Sequence, residues 1–375
     1  MASQKLEPFS RDISPAEALT EELELSRLFD GIVDDGLLSP VDRYLENSNR
    51  LNKIFIDNYK QKTYTSDLGT LLLLGFVSAV ESYMRGVIRG LVQIDEYVQK
   101  LVAPQQVTYF AAVHHDRSLL PEALLEGVSF ISKFNISKTL KDFCAIGGMS
   151  GDTVPKSLEP AFEKYGHICQ IRHCCVHRFG LLGADNALRL NLPPSHLEQP
   201  IRISKDALEE ISIILEKFVC SLNSHIYSDV LQRSLWMSSV ISTVPEVKYK
   251  TQWTLDIRKD ENRFGQYYDL FAITKSEPSS ASLWEEYERF SLWAKQCIAT
   301  DTIIVENKAK NGEKKKMPAL NLKAGAPPPT SSAAPIAPTP LSTVNSNGFA
   351  ALSTDVADVL AAAAAQDIPD ESTAS

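Results

Sequence analysis

Residues 172–177 read RHCCVH: an arginine, two histidines and two cysteines within six positions. Four chemistries fit such a cluster: metal ligation, a cysteine nucleophile with its base, an RNA-cleaving pair, or the polar turn of a buried helix. The flanks decide the backbone first. The longer stretch LEPAFEKYGHICQIRHCCVHRFG, residues 158–180, reads as a helix that stops at Gly180. The cluster is then the last part of a helix, and the fold is read from the helices around it.

On the N-terminal side, a helix is expected from Ser66, where Phe76, Val80, Tyr83, Val87 and Leu91 recur at three- and four-residue steps and form one core-facing stripe. Further helices fit PEALLEGVSFISKF (121–134) and SKTLKDFCAIGG (137–148). On the C-terminal side, ALRLNLPPSHLEQPIRIS (187–204) alternates around Pro193-Pro194 and predicts a small hairpin or extended excursion without helix. Ser204 or Asp206 then caps a long helix through ALEEISIILEKFVCSLNSHIYSDVLQ (207–232). Residues 66–232 thus read as an all-α, antiparallel helical bundle with one insertion.

Residues 1–65 read as an N-terminal helical extension. Ser14-Pro15 with Glu17 gives a helix start of the Ser-x-x-Glu kind, and a second helix begins near Ser39-Pro40 and runs to Gln61. Residues 233–318 read as a small α+β accessory domain. YKTQWTLDIRK (249–259) and GQYYDLFAIT (265–274) are β-prone runs joined by DENRFG as a hairpin, followed by an amphipathic helix, SASLWEEYERFSLWAKQCIA (280–299). All four tryptophans, Trp236, Trp253, Trp284 and Trp293, fall in this unit and are expected to build its core, a recognition face being the alternative. Residues 319–375 form a Pro/Ala/Ser-rich tail that cannot bury enough apolar surface to fold and is expected to be disordered.

The 44% apolar content suffices for a core, and the net charge of −9 argues against nucleic-acid binding by bulk charge. A substrate bound briefly and cut needs no broad basic face. The basic run KAKNGEKKK (308–316) reads as a solvated linker, with steering of RNA or of an acidic partner as the alternative. Six irregularly spaced cysteines and the absence of an apolar leader predict neither a disulfide framework nor export. The most apolar run, LGTLLLLGFVSAV (68–80), is too short to span a bilayer and is followed by Glu81, Arg85 and Arg89. A soluble, cytoplasmic protein without membrane association is expected.

Within the cluster, Arg172 and His177 are five residues apart. On a helix this sets them about 140° and about 7.5 Å apart, so one helix cannot close them into a compact site. Two copies packed about a symmetry axis can, each imidazole meeting the other copy's guanidinium. Such a cleft suits RNA cleavage without metal. A neutral imidazole removes the ribose 2′-OH proton, a protonated one supports the leaving 5′-oxygen, and arginine grips the phosphate bidentately. DNA, lacking the 2′-OH, would be immune.

The order of elements, FVSAVESYMRGVIRGL (76–91), further helices, RHCCVHRFG (172–180), then a helix opened by ISKDALEE (203–210), resembles a HEPN domain. Arg172, the polar His173 and His177 match the signature of the family's fourth helix, and Glu81 matches its recurrent first-helix acid. Gly180 matches the glycine that follows the motif in the ribonuclease-like branch. The resemblance covers about residues 66–232. It implies a dimeric helical bundle and a metal-independent endoribonuclease leaving a 2′,3′-cyclic phosphate, of toxin or antiviral-defence type. It also implies an RNA substrate, an antitoxin or defence-system partner protein and no cofactor. His177 is then the general base or acid, Arg172 the phosphate clamp, His173 a helper, and Glu81 the group that orients Arg172 through a salt bridge. The paired cysteines in the motif depart from the family pattern. A non-catalytic HEPN scaffold, binding a partner protein or nucleotide, is the alternative.

Zinc is the first rival, since His173 and His177 have the i, i+4 spacing of one helical face; yet no Cys-x-x-Cys is present, and Cys174 and Cys175 point about 100° apart. A nucleophilic Cys174 or Cys175 is the second, without any hydrolase signature around it. His114-His115 reads as polar surface.

Overall fold

The computed structural model describes residues 22–29, 38–116, 119–147, 149, 154–240 and 253–310, with side chains omitted for 236–240 and 300–310. The expected helix start at Ser14, the disordered tail and most of the basic run lie outside the described residues. Residues 1–37 and 38–375 are separate units. In the first, a 3-10 turn spans Leu25–Leu28, and Arg27 pairs with Glu24 at 2.7 Å.

The second unit is mainly α. α1 (Pro40–Lys60) begins where expected: Ser39 Oγ accepts from the Asp42 backbone N–H, and Pro40 sits in the first turn, where its missing N–H costs nothing. α2 (Ser66–Ile94) is capped by Thr65. Its stripe of Phe76, Val80, Tyr83, Val87 and Leu91 is fully buried. α2 is long and apolar enough to cross a membrane, but here it is the central helix of the bundle.

α3 (Glu96–Val102) is capped by Asp95, which accepts from the backbone N–H of Tyr97 and of Val98. Two short helices follow, α4 (Tyr109–His114) and α5 (Leu120–Ala123). The helix expected over 121–134 does not continue past Ala123, and α2 supplies the reason. Arg85 donates to the carbonyls of Leu125 and Val128, and Glu81 accepts from the Phe130 N–H. Backbone groups satisfied by neighbouring side chains have no need of helical partners, and Leu125 and Phe130 are still fully buried.

α6 (Lys133–Cys144) is capped by Ser132 and ends at left-handed Ala145. α7 (Glu159–Arg178) carries the cluster. After it the chain makes the expected excursion, closed by one antiparallel bridge between Leu181 and Pro200. The excursion is partly helical, against expectation, with α8 (Ala184–Arg189) and a 3-10 turn at Pro194–His196. Leu182 and Ala187 bury against Cys174 in a small satellite core, which an alternating hairpin would not have formed.

α9 (Lys205–Val240) starts at Ser204, whose Oγ accepts from the Ala207 N–H. α10 (Ile257–Phe271) and α11 (Leu283–Lys310) complete the unit. The α+β reading of residues 233–318 is corrected here: no strand occurs among the described residues 253–310, and the supposed hairpin turn DENRFG lies inside α10. Phe264, Tyr267 and Phe271 are buried at helical spacing. Asp260 holds the helix entrance by accepting from the backbone N–H groups of Thr254 and Leu255 and from the Tyr287 hydroxyl. Trp253 is buried against Phe264, Tyr267 and Phe290, as a core tryptophan should be, whereas Trp284 is exposed. α10 packs against α1, α2 and α9, so these helices belong to the bundle itself.

Candidate functional site

Two aromatic contacts fix α7. Tyr165 stacks on Phe218 of α9 with ring centroids 4.3 Å apart and planes 6° from parallel, and its hydroxyl donates to the Phe130 carbonyl at 2.7 Å. Phe162 stacks on the same Phe218 ring. This clamp turns Cys169, Cys174 and Cys175 inward, where all three are buried. Burial pushes the Cys169 thiol up to about 12 and raises Cys175. Cys169 and Cys175 therefore stay protonated near neutrality, and all three side chains pack as small apolar groups.

The opposite face of α7 presents His173, Val176 and His177 to solvent. The two imidazoles lie side by side, centroids 4.5 Å apart and planes tilted by 47°. Arg172 is half-buried one step around the helix, near the Cys169 thiol. Within one chain the structure therefore brings His173 and His177 together, and it leaves Arg172 off their face, as a five-residue helical step requires.

Glu81 departs from its expected role. Its carboxylate also lies near Cys169, but no ion pair with Arg172 is formed among the described residues, and it accepts from the Phe130 N–H at 3.1 Å. Glu81 shapes the segment between α5 and α6 and does not orient the arginine. The cause is proximity: the segment lies against α2, which also holds it through Arg85.

The exit from α7 was not foreseen as part of the site. Phe179 adopts the left-handed conformation, φ 50° and ψ 41°, with its ring 98% exposed. Gly180 follows at φ +87°, which explains the glycine there. Arg178 donates to both oxygens of Glu198 at 2.7 and 2.8 Å, tying the excursion to the helix end. Val176, Phe179, Leu181 and Leu188 are all exposed apolar residues at this end of the molecule, Leu188 to 76%. The sequence signal was the bulky Phe179 at the helix stop, where glycine is the usual choice.

Among the described residues, no three His, Cys, Asp or Glu side chains converge as a metal would need. His114 and His115 lie elsewhere: the first stacks on Phe110, the second contacts the Leu119 carbonyl through Nδ1. Comparisons with protein-family models, curated proteins and solved structures return no match to this chain.

Proposed function

We propose that this chain is a metal-independent endoribonuclease of the HEPN kind, of toxin or antiviral-defence type, whose active site is completed between two copies. A neutral His177 imidazole takes the proton of a ribose 2′-OH, the 2′-oxygen attacks phosphorus, and the bond to the 5′-oxygen breaks. That oxygen takes a proton from the second copy's imidazolium. The products are a 2′,3′-cyclic phosphate and a free 5′-hydroxyl. Arg172 holds the phosphoryl oxygens, and His173 supports His177 from the adjacent turn. Glu81 has no part in this reading beyond shaping the bundle.

One observation carries it. Two solvent-facing imidazoles, their ring centroids 4.5 Å apart, stand beside an exposed apolar rim of Val176, Phe179, Leu181 and Leu188. Large apolar residues exposed in such a rim suit burial against another chain. Pairing through it would set two copies of α7 face to face and so meet the requirement that Arg172 and His177 cannot meet alone.

The test uses purified full-length protein, varied single-stranded RNAs and EDTA, with oligomeric state followed by analytical ultracentrifugation. Cleavage that survives EDTA, yields cyclic-phosphate ends and falls at least about 100-fold in His177→Ala is expected. A dimer inert toward every RNA, with His177→Ala indistinguishable from it, would overturn catalysis and leave the scaffold reading.

A further inference from the structure

A cavity of about 290 Å³ lies between α9, the end of α10 and the start of α11, lined by Cys220, Ser224, Tyr227, Tyr268, Phe271 and Glu286 among others. Its position is set by helical spacing. Cys220, Asn223, Ser224 and Tyr227 share one face of α9, and α10 ends opposite them at Phe271. The Tyr227 and Phe271 rings stand 5.6 Å apart.

The polar groups around the cavity are nearly all committed as donors to the protein. The Asn223 amide donates to the Phe271 carbonyl at 2.8 Å and accepts from the Tyr83 hydroxyl at 3.2 Å. Ser224 donates to the Cys220 carbonyl, and Tyr268 to the Ala281 carbonyl. What remains is acceptor capacity, ring faces and one exception: the Tyr227 hydroxyl is buried without a partner. A buried hydroxyl without a partner has given up its bonds to water and gained none in return.

The only ionic side chain lining the cavity is Glu286. One of its oxygens accepts from Arg289 at 2.6 Å, and that arginine side chain is largely exposed. Other carboxylates reinforce the sign. Burial and then Glu286 push the Tyr227 hydroxyl upward, and Tyr268 is raised by burial and then by Glu286, Asp269 and Glu285. Burial and Glu216 push the Cys220 thiol up to about 11.

Aromatic walls, spare acceptors and negative potential select one kind of guest. We propose that this cavity binds a small organic monocation of the alkylammonium class, its charge set against the Tyr227 and Phe271 rings and the Glu286 carboxylate. A desolvated ammonium is attracted to the negative face of an aromatic ring, beyond what its apolar shape contributes. The site is separate from the proposed ribonuclease centre and does not rest on that reading.

Choline and its uncharged isostere 3,3-dimethylbutan-1-ol are the probes, titrated calorimetrically into the full chain. Saturable choline binding is expected, with the isostere at least about tenfold weaker. Glu286→Gln should weaken choline by about tenfold while its circular-dichroism melting curve stays unchanged, and His177→Ala should leave choline binding as it is. Arg289→Ala, which frees the carboxylate, keeps the test informative should Glu286→Gln fold poorly: choline should then bind at least as tightly as to the parent. Equal binding of both probes would make this an apolar hole. No binding at millimolar choline would make it a water-filled one. Either result overturns the proposal, as does Glu286→Gln binding choline normally.

Discussion

At Phe179 the backbone turns left-handed while the ring remains 98% exposed. A non-glycine residue in that region pays about 1–2 kcal/mol, and an exposed ring returns none of it by burial. Phe179→Gly should therefore leave the unfolding free energy unchanged or raise it by up to about 1 kcal/mol, as urea denaturation would show. The same variant should weaken the proposed self-association about tenfold or more, since aromatic anchors dominate such contacts. A loss of stability would instead assign the ring a structural place. Glu81 teaches the complementary lesson. It was expected to pair with Arg172, yet its carboxylate accepts from the Phe130 backbone N–H, a donor that needs a partner once it is drawn out of water.

Among the elements, α2 shows how glycine positions set close approaches. A Cβ on Gly69 would lie 2.9 Å from the Ile203 carbonyl oxygen and 2.3 Å from the Tyr64 hydroxyl. The chain returning from the excursion lies directly on α2 there, its Ile203 N–H donating to Ser66 Oγ and its carbonyl accepting from Tyr64. At Gly90 the obstacle is the end of a flexible side chain, Leu270 of α10. Gly69→Ala should cost about 1–2 kcal/mol, because backbone cannot swing aside and the helix-propensity gain only partly offsets the overlap. Gly90→Ala should cost less, since a leucine methyl can rotate away. Equal losses in urea melts would contradict this account of α2. The same scale explains why α10 was misread. Its aromatic residues are strand formers by composition, but Phe264, Tyr267 and Phe271 sit at helical steps and face Trp253 and Tyr227.

Across the whole unit, one ion pair ties distant parts of the chain together. Arg233 of α9 pairs with Asp95 at 3.0 Å, both side chains largely out of water, and it also donates to the Cys144 carbonyl at the end of α6. Tyr267 of α10 donates to the same Asp95 oxygen at 3.4 Å, and the Tyr97 ring lies under the guanidinium. Four elements meet at this point. Removing one partner of a buried pair leaves the other charge stranded, so Arg233→Met should lower the unfolding free energy by about 3 kcal/mol. Adding Asp95→Asn should restore part of that loss despite the weakened cap of α3. A double variant no better than the single one would show that the pair is not coupled.

The sequence alone determined what is local and periodic. The stripe of α2, the Ser39-Pro40 start of α1, the Gly180 stop and the Ser204 start of α9 were all legible, because caps and 3.6-residue spacing act within a few residues. Tertiary structure decided the rest. Arg85 and Glu81 drew residues 125–130 away from helix, and burial against α1, α2 and α9 made α10 a member of the bundle. The cavity beside Tyr227 and the company kept by Phe179 likewise depend on residues far apart in the chain. Hydrogen bonds and burial between such residues carry no spacing signal, so only the folded molecule reveals them.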